Sequence, residues 1–400
     1  MSTLRRDSPT ELPVTFTWEV SSFFGWGIYG LNMLLHWPGP AFTARIPGEV
    51  WLHDRRQQKR VEAALAQSRA LCEKLEGIAG GAATLPMPVL HGLGNGMTIS
   101  TSEHGVLLQG TPDIGVVFLE DAFVPPAHLD RLKAMPLIVT GSRWNADVVA
   151  AAGLSSVRTV LQGVDVERFR PQPRAPHDGL FRIFSGGKLE VRKGQDLVLR
   201  AFREFATRHP EARLVTAWHT LWPKISDKFA LIADVGAPPR RQDGSADIQA
   251  WAARIGIAPE RLLDLGPVPN SEFPRILSDM DVAVFPNRCE GGTNLVAMEC
   301  LAAGVPTILS ANSGHLDLIE RTKTYALTRQ TPLAFEAPDV VDASGWRDSD
   351  VEEIVELLER IYRERNAARQ RALRAARSMA SLSWERQIKA LHREVRSHLQ

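Results

Sequence analysis

Residues 285–306, FPNRCEGGTNLVAMECLAAGVP, decide the fold of this chain. The stretch begins at the end of an apolar run, continues through a polar loop at residues 287–294, and then carries the apolar residues of a helix that starts near Leu295. This order predicts a strand, a loop and a helix, which together are the repeating unit of a parallel α/β sheet. Ligands of such sheets bind at the carboxyl ends of the strands, so we expect the loop to carry chemistry.

The same alternation of apolar strands and helical patterns continues on both sides of this stretch. In the second half, we expect strands near residues 181–184, 213–217, 262–265, 282–285 and 306–309. In the first half, we expect strands near residues 14–20, 116–119, 136–140 and 159–161, and helices near 55–75 and 144–152. Residues 170–179, RPQPRAPHDG, lack periodicity and indicate a linker. The chain is therefore predicted to be an α/β protein with two Rossmann-like domains, residues 1–172 and 173–379, that face one another across a cleft.

The composition restricts the partners and the compartment. The chain of 400 residues has 47 basic and 46 acidic side chains and a net charge of +1, so no overall field favours nucleic acid. Its 3 cysteines show neither a CxxC pair nor metal-ligand spacing, which is typical of a reducing compartment. Residues 1–14 lack the apolar core of a secretory signal, and residues 23–35 are too short to cross a bilayer, which takes about 20 apolar residues. We expect a cytoplasmic protein.

A basic segment near the C-terminus leaves two interpretations open. Residues 350–379 predict one long helix, and its arginines are concentrated between positions 360 and 377. These side chains either form a solvated helix face with glutamate partners or a surface that contacts a membrane or a polymer.

A second strand-to-helix connection has the composition of a phosphate-binding turn. Residues 184–195 read FSGGKLEVRKGQ and place Gly186 and Gly187 before three basic residues, Lys188, Arg192 and Lys193. Glycines let backbone N–H groups approach a diphosphate, the start of a helix favours negative charge, and the lysines add point charges. The alternative is an ordinary solvated turn.

The loop of the opening stretch offers a complementary set of groups. The backbone amides from Gly292 to Leu295 are expected to point from the helix start into the cleft, where they suit a phosphate or sugar hydroxyls. Glu299 lies further along the helix, and its carboxylate can accept two hydrogen bonds from a ribose diol. Surface charge remains the alternative for Glu290 and Glu299.

Together, these two segments resemble the retaining glycosyltransferases of family 4, whose donor domain shows a G-R-L-x-x-x-K-G turn and an E-x7-E motif. Here, the first motif reads GKLEVRKG, with Lys188 in place of the usual arginine. The resemblance implies that Lys188 and Lys193 bind the diphosphate of a nucleotide-sugar donor. It also implies that Glu299 holds the nucleotide ribose.

The E-x7-E motif departs from the family pattern by one residue. Glu290 and Glu299 are separated by one residue more than in the family, which leaves open whether Glu290 reaches the sugar ring. The amides near Thr293, Asn294 and Leu295 are implied to hold the phosphate and the sugar.

The resemblance extends over roughly residues 115–400. Residues 137–145, LIVTGSRWN, and 163–171, GVDVERFRP, are similar to the family's passage between domains. Residues 266–271, GPVPNS, resemble the loop that lies against the nucleotide base. Trp384 begins a final helix similar to the one that crosses back in GT-B folds, so residues 380–400 are assigned to the first domain. The implied fold is GT-B.

Several weaker signals fall in the first domain. Gly25, Gly27 and Gly30 fit GxGxxG after a strand, and in this family such a turn approaches the donor diphosphate and the acceptor. A plain tight turn and a redox cofactor site are the alternatives. Many family members have a histidine near the reacting sugar, where residues 117–121, VFLED, offer Glu120. Glu120 either binds the acceptor or sugar, or pairs with an arginine.

The function implied by the resemblance is transfer of a hexose-type sugar from a nucleoside diphosphate sugar to an acceptor hydroxyl, with retention of configuration. The acceptor is a glycan, a lipid-linked molecule or a small molecule, and a lipid-linked acceptor implies contact with the inner face of a membrane. Lys188, Lys193, Glu290 and Glu120 are the candidate catalytic residues, and His315 either approaches the sugar or lies in a surface turn. We expect no metal and no cofactor besides the nucleotide-sugar co-substrate. A catalytically silent nucleotide-sugar binder and an epimerase stay open as alternatives.

Overall fold

Two parallel sheets, each of six strands within the residues that the structure describes, form the framework of the protein. The structure is a computed structural model, and it describes residues 11–52, 55–78, 80–99, 101–102, 104–173, 178–232, 234–333, 343 and 345–399. The predicted linker at residues 170–179 is therefore described only in part, since residues 174–177 lie outside these ranges.

The first sheet has the strand order β2-β1-β4-β6-β7-β8. A separate parallel pair, β3 with β5, lies outside this sheet. The first-half elements are β1 Val14–Phe16, α1 Gly25–His36, β2 Ala41–Thr43, α2 Arg55–Glu76, β3 Ala82–Thr84, β4 Val89–Leu93, β5 Leu107–Gln109, β6 Asp113–Val117, α3 Leu129–Lys133, β7 Ile138–Thr140, α4 Arg143–Ala151 and β8 Val157–Thr159.

The second sheet has the order β11-β10-β9-β12-β13-β14, and β15 pairs with β16 in an antiparallel hairpin beside it. Its elements are β9 Phe181–Lys188, α5 Gln195–Arg208, β10 Ala212–His219, α6 Pro223–Asp227, α7 Ile248–Arg254, β11 Leu262–Asp264, α8 Phe273–Ser278, β12 Val282–Phe285, α9 Leu295–Ala302, β13 Thr307–Ser310, α10 His315–Thr322, β14 Tyr325–Leu327, β15 Gln330–Pro332 and β16 Arg347–Ser349. The C-terminal helices are α11 Val351–Arg363, α12 Arg365–Met379 and α13 Trp384–Ser397.

Two neighbouring strands of the second sheet, β12 and β13, are buried along their whole length. Continuous burial of this kind is typical of parallel sheets with helices on both sides, and it explains why β12 could be predicted from an uninterrupted apolar run. The carboxyl ends of β9 and β12, which are neighbours in the sheet, bring the two predicted donor-binding segments together.

The glycine-rich segment of the first half differs from the prediction of a turn. Gly25, Gly27 and Gly30 all lie within helix α1, and strand β1 ends at Phe16. A Cβ atom at Gly27 would lie 2.6 Å from Ser21 Cβ, and one at Gly30 would lie 2.7 Å from the Glu19 carbonyl oxygen. These glycines therefore allow α1 to pack closely against the segment that follows β1.

The predicted long basic helix is interrupted. It forms α11 and α12, which are separated at Glu364, where φ is −107° and ψ is 37°. Arg371 Nε donates to the Lys323 carbonyl oxygen at 2.7 Å, and Arg369 Nη1 donates to the Gly304 carbonyl oxygen at 2.5 Å. Two of the arginines thus bind backbone carbonyl groups of the second half. Among the described helices, none combines the length and the apolar character that crossing a bilayer requires.

The last helix packs on the first half of the chain, as the resemblance implies. The Val164 amide donates to the Leu382 carbonyl oxygen at 2.8 Å just before α13 begins. The Trp384 ring lies 5.6 Å from the Tyr29 ring of α1, centroid to centroid. Ile388 and Leu391 are fully buried in the core that also contains α1. The chain therefore crosses between the two halves twice.

Candidate active site

A cleft with a volume of about 590 Å³ lies between the two halves. Its walls come from the start of α1 and the loops after β4 and β6 on one side, and from the carboxyl ends of the second sheet on the other. The predicted site residues that line it are Glu120, Gly187, Lys188, Lys193, Glu290, Gly292, Asn294, Leu295 and Glu299.

The glycines of the GKL motif end a strand rather than form a turn. Gly186, Gly187 and Lys188 are the last residues of β9. Gly187 has φ of 122°, a conformation that side chains strongly disfavour, and a Cβ atom at Gly186 would lie 3.0 Å from Val296 Cγ1 of α9. Glycine at both positions lets β9 run close beneath α9 and turn into the cleft.

Lys188 projects into the cleft with one acidic partner. Its Nζ atom lies 2.8 Å from Glu190 Oε2, and 5.5 Å from the centroid of the Trp222 ring. Burial opposes the charged form, but Glu120 and Glu190 raise the pKa of Lys188 above its usual value. The ammonium group is therefore charged at physiological pH.

Lys193 is joined to the loop of the opening stretch. Its Nζ atom lies 2.5 Å from Glu290 Oε2. The next residue, Gly194, has φ of 69° and starts α5, and a Cβ atom there would lie 2.3 Å from the Pro286 carbonyl oxygen. Lys193 and Gly194 thus hold the loop after β9 against the loop after β12.

Arg192 connects three segments of the site. Its side chain is 4% exposed, and its Nη1 atom donates to the Cys289 carbonyl oxygen at 2.8 Å. Its Nη2 atom bonds Glu190 and also lies 2.5 Å from Glu120 Oε1. The sequence showed Arg192 only as one charge of a basic turn, because Glu120 and Cys289 are far away in the chain.

Glu290 is a buried, paired carboxylate. Besides Lys193, it accepts from Asn287 Nδ2 at 2.6 Å, and its backbone amide donates to Ser313 Oγ at 2.7 Å. Burial opposes ionisation, but Lys193 and Arg192 hold the pKa of Glu290 at about 2. Glu290 lines the cleft despite the extra loop residue, and its contact with a sugar stays a prediction.

The loop that contains Glu290 approaches neighbouring backbone segments closely. A Cβ atom at Gly291 would lie 2.4 Å from the Leu119 carbonyl oxygen, and one at Gly314 would lie 1.7 Å from the Gly292 carbonyl oxygen. Ser142 Oγ donates to the Gly291 carbonyl oxygen at 2.7 Å. The loop therefore packs against the first half of the chain, a contact that the sequence did not reveal.

The residues at the start of α9 differ from one another in their access to the cleft. Thr293 is fully buried, does not line the cleft, and donates its amide to Gln162 Oε1 at 3.2 Å. Gln162 thus occupies the Thr293 amide in this structure, and the role of that amide in donor binding stays a prediction. Asn294 lines the cleft, and its Oδ1 atom accepts from the Ala297 amide at 3.3 Å as the helix cap.

His315 is buried rather than in a surface turn. Its Nδ1 atom lies 2.9 Å from Ser310 Oγ, and its Nε2 atom lies 3.1 Å from Asn294 Nδ2. Burial lowers the pKa of His315 to about 4, so the ring is neutral at physiological pH. A neutral ring with these two partners accepts a hydrogen bond from Asn294. His315 therefore orients Asn294, which does line the cleft.

Glu299 lies at the other end of the cleft, next to the predicted base loop. It is buried and accepts a hydrogen bond from Asn270 Nδ2. Burial raises the pKa of Glu299 to about 8. The backbone N–H of Asn270 donates to the Ser22 carbonyl oxygen at 2.9 Å, so the loop at residues 266–271 also contacts the first half.

Two predicted residues of the first half have different positions. Gly27 packs against Ser21 and is not among the residues that line the cleft, whereas Gly25 does line it. A contact between Gly27 and the donor stays a prediction. Glu120 lines the cleft and bonds Asn95 Nδ2 at 3.1 Å as well as Arg192. Burial opposes ionisation, but Arg192 and Lys188 lower the pKa of Glu120. Its pairing with an arginine was one of the two alternatives.

Within the described ranges, we find no group of three or more histidine, cysteine, aspartate or glutamate side chains arranged to hold a metal ion. The positive charge of the site comes from Lys188, Arg192 and Lys193.

Known proteins are similar to this chain in sequence over part of its length and in fold over nearly all of it. Residues 142–391 match the model of a family described as "Family 4 Glycosyltransferase in conflict systems". The chain is 27% identical over 237 residues to a D-inositol 3-phosphate glycosyltransferase of Acidothermus cellulolyticus, a match that covers 57% of this chain and 48% of that protein. It is 28% identical over 185 residues to a GDP-mannose-dependent alpha-(1-6)-phosphatidylinositol monomannoside mannosyltransferase of Mycolicibacterium smegmatis, covering 43% and 42% of the two chains. The match thus spans about half the length of these relatives.

Solved structures agree on the fold over nearly the whole chain. The trehalose-6-phosphate protein of E. coli bound with UDP-2-fluoro glucose has a TM-score of 0.61 at 12% identity, covering 98% of this chain and 99% of that one. The Anabaena protein HepE in complex with UDP-glucose has a TM-score of 0.60 at 12% identity, covering 97% and 100%. The fold is therefore GT-B. Since the family match spans more than half of the chain and includes both donor motifs, the protein belongs to the family 4 glycosyltransferases.

Proposed function

We propose that the protein transfers a hexose-type sugar from a nucleoside diphosphate sugar to an acceptor hydroxyl, with retention of configuration. The observation that supports this most is the convergence of Lys188, Lys193 and Glu299 on one cleft at the carboxyl ends of the second sheet. Such a cleft in a GT-B fold is where a nucleotide ligand is expected.

In this proposal, the donor lies along the second half of the cleft. Its diphosphate lies between Lys188 and Lys193, where Gly187 leaves the end of β9 without a side chain. Its ribose contacts Glu299, whose carboxyl group is largely protonated below pH 8 and can then both donate and accept a hydrogen bond. Its base lies against the loop at residues 266–271.

Catalysis then depends mainly on stabilising the leaving diphosphate. Charge on the diphosphate grows as the sugar–phosphate bond breaks, and cations already in position stabilise that charge without reorganisation. Arg192 is held rigidly by its four acceptors and keeps Glu120 and Glu290 charged beside the reacting sugar. We assign Glu290 to the sugar hydroxyls, and Glu120 to the acceptor or the sugar.

The acceptor enters from the side of the first half. A glycan, a lipid-linked molecule or a small molecule can supply the hydroxyl group. The mycobacterial relative carries phosphatidylinositol in its name, so a lipid-linked acceptor at the inner face of a membrane is part of the proposal. A cytoplasmic enzyme that meets a membrane only through such an acceptor needs no spanning helix.

A binding and turnover experiment tests the proposal. UDP-, GDP- and ADP-sugars are screened by thermal shift, and the stabilising donor is then assayed for hydrolysis and transfer. A ligand at 100 times its dissociation constant stabilises by about 2.7 kcal/mol, which is readily measured. The double variant Lys188→Ala/Lys193→Ala should lose both the shift and the turnover.

Lys389→Ala is the matched control, because it removes an exposed lysine that pairs with Glu385 on α13. Equal nucleotide affinity in the double variant and the control would show that neither Lys188 nor Lys193 binds the donor. Binding without any turnover would identify a silent binder, and an altered sugar without an acceptor would identify an epimerase.

A further inference from the structure

The first half supplies an aromatic wall to the cleft. Phe23, Phe24, Trp26 and Phe118 line it, and each is only partly buried. The Trp26 and Phe118 rings lie 4.7 Å apart at an angle of 67°, an edge-to-face pair that fixes both rings. This wall faces the groups that are proposed to bind the donor, so it is the surface that an acceptor would meet.

Polar groups lie at the inner end of the aromatic wall. Asn95 follows β4 and bonds Glu120 through both of its side-chain atoms, donating from Nδ2 at 3.1 Å and accepting at Oδ1 from the Glu120 amide at 3.2 Å. The pair presents a fixed amide and a fixed carboxylate to the cleft. Such a pair can exchange hydrogen bonds with neighbouring hydroxyl groups.

The charges of the cleft are divided between its two sides. Among the described residues that line it, every lysine, arginine and histidine comes from the second half: Lys188, Arg192, Lys193 and His219. The charged side chain contributed by the first half is Glu120. Arg192, the cation that pairs with Glu120, already bonds three carboxylates and a carbonyl group through its Nη atoms.

We infer that the acceptor is an uncharged carbohydrate, a pyranoside whose apolar face lies on the wall of Trp26 and Phe118 and whose hydroxyl groups bond Asn95 and Glu120. This inference rests on the proposed function. A phosphorylated acceptor would place its negative charge beside the carboxylate of Glu120. No lysine of the cleft would be available to balance that charge, since the donor diphosphate occupies both. Like charges in a cleft of this kind exclude a ligand more strongly than a missing contact does.

The first experiment compares acceptors. With the donor identified by thermal shift at saturation, methyl glucoside, galactoside and mannoside are compared with their 6-phosphates. We expect kcat/KM for the best neutral pyranoside to exceed that of its phosphate by about tenfold or more. An equal or higher value for the phosphate would overturn the inference. Octyl glycosides extend the series. A rise in kcat/KM of about tenfold or more from the methyl to the octyl glycoside would show that the wall binds a lipid chain, and this result would also overturn the inference.

The second experiment tests the wall itself. Trp26→Leu should raise KM for the pyranoside by about tenfold, and Trp26→Phe should recover most of that loss because it keeps an aromatic face. Phe123→Leu is the matched control, since Phe123 is exposed and does not line the cleft. The thermal shift with the donor shows that each variant is folded. An unchanged acceptor KM in Trp26→Leu would contradict the inference.

The two proposals fail in different ways. If no nucleotide sugar stabilises the protein and none is turned over, the proposed function fails, and the inference falls with it. If the donor is hydrolysed but neutral pyranosides are not glycosylated, the inference alone is wrong.

Discussion

Arg192 Nη2 lies 2.5 Å from Glu120 Oε1, so a carboxylate of the first half pairs with a guanidinium group from the loop after β9 in the second half. The same cluster pairs Lys188 with Glu190 and Lys193 with Glu290. The cations that are proposed to bind the diphosphate are thus matched by carboxylates of the protein. A donor diphosphate has to compete with these carboxylates for the same cations.

The first prediction concerns this competition. Glu120→Gln removes one anion from the cluster while keeping the shape of the side chain and its bond to Asn95. We expect nucleoside diphosphate to bind about thirty times more tightly, because one charge at about 8 Å with an effective dielectric constant near 20 is equivalent to about 2 kcal/mol. Isothermal titration calorimetry measures the affinity, and Glu394→Gln on α13 controls for net charge. Weaker binding in Glu120→Gln would show that this carboxylate supports the donor site.

The second prediction separates the two glutamates of the displaced motif. Glu290→Gln should lower kcat by about a hundredfold with a smaller effect on nucleotide affinity, as expected for a contact that strengthens in the transition state. At about pH 9, above the pKa of Glu299, Glu299→Gln should chiefly weaken donor binding, by about tenfold, because the ionised carboxylate has two acceptor oxygens and an amide has one. Steady-state kinetics with a nucleotide titration distinguishes the two. Full kcat in Glu290→Gln would leave the backbone amides near Gly292 as the sugar-binding groups.

The third prediction is a pH dependence of stability. Burial raises the pKa of Glu299 from an ordinary 4.5 to about 8, so between these pH values the folded protein holds a proton that the unfolded chain has lost. The stability contributed by this group is present below pH 4.5 and is lost as the pH rises through 8. Glu299→Gln should therefore gain in melting temperature relative to the wild type as the pH is raised from about 5 to about 9. Parallel plots of melting temperature against pH for the two proteins would disprove the raised pKa of Glu299.

The fourth prediction concerns metal removal. Because Lys188, Arg192 and Lys193 bring positive charge to the proposed diphosphate site, we expect transfer activity to survive excess EDTA. The assay compares initial rates with and without the chelator. A complete loss of activity that magnesium or manganese restores would reveal a metal-dependent step.

Much of the framework could be predicted because it depends on local patterns. Strand β12 is a continuous apolar run, and parallel strands place the loops after β9 and β12 at one edge of the sheet. Lys188, Lys193 and Glu299 follow from motif spacing in the same way, and all three line the cleft. The break at Glu364 and the helical position of Gly27 were missed, since neither leaves a periodic signal.

The sequence by itself determined the alternation of strands and helices around the two motifs, the family, and which residue types are available at those strand ends, because each of these depends on neighbours in the chain. Only the tertiary structure decided which charges pair. Arg192 meets Glu120 and Glu290 because distant loops pack together, and the Thr293 amide is taken by Gln162 for the same reason. Pairing energies inside a cleft depend on distance and burial, which spacing along the chain does not specify.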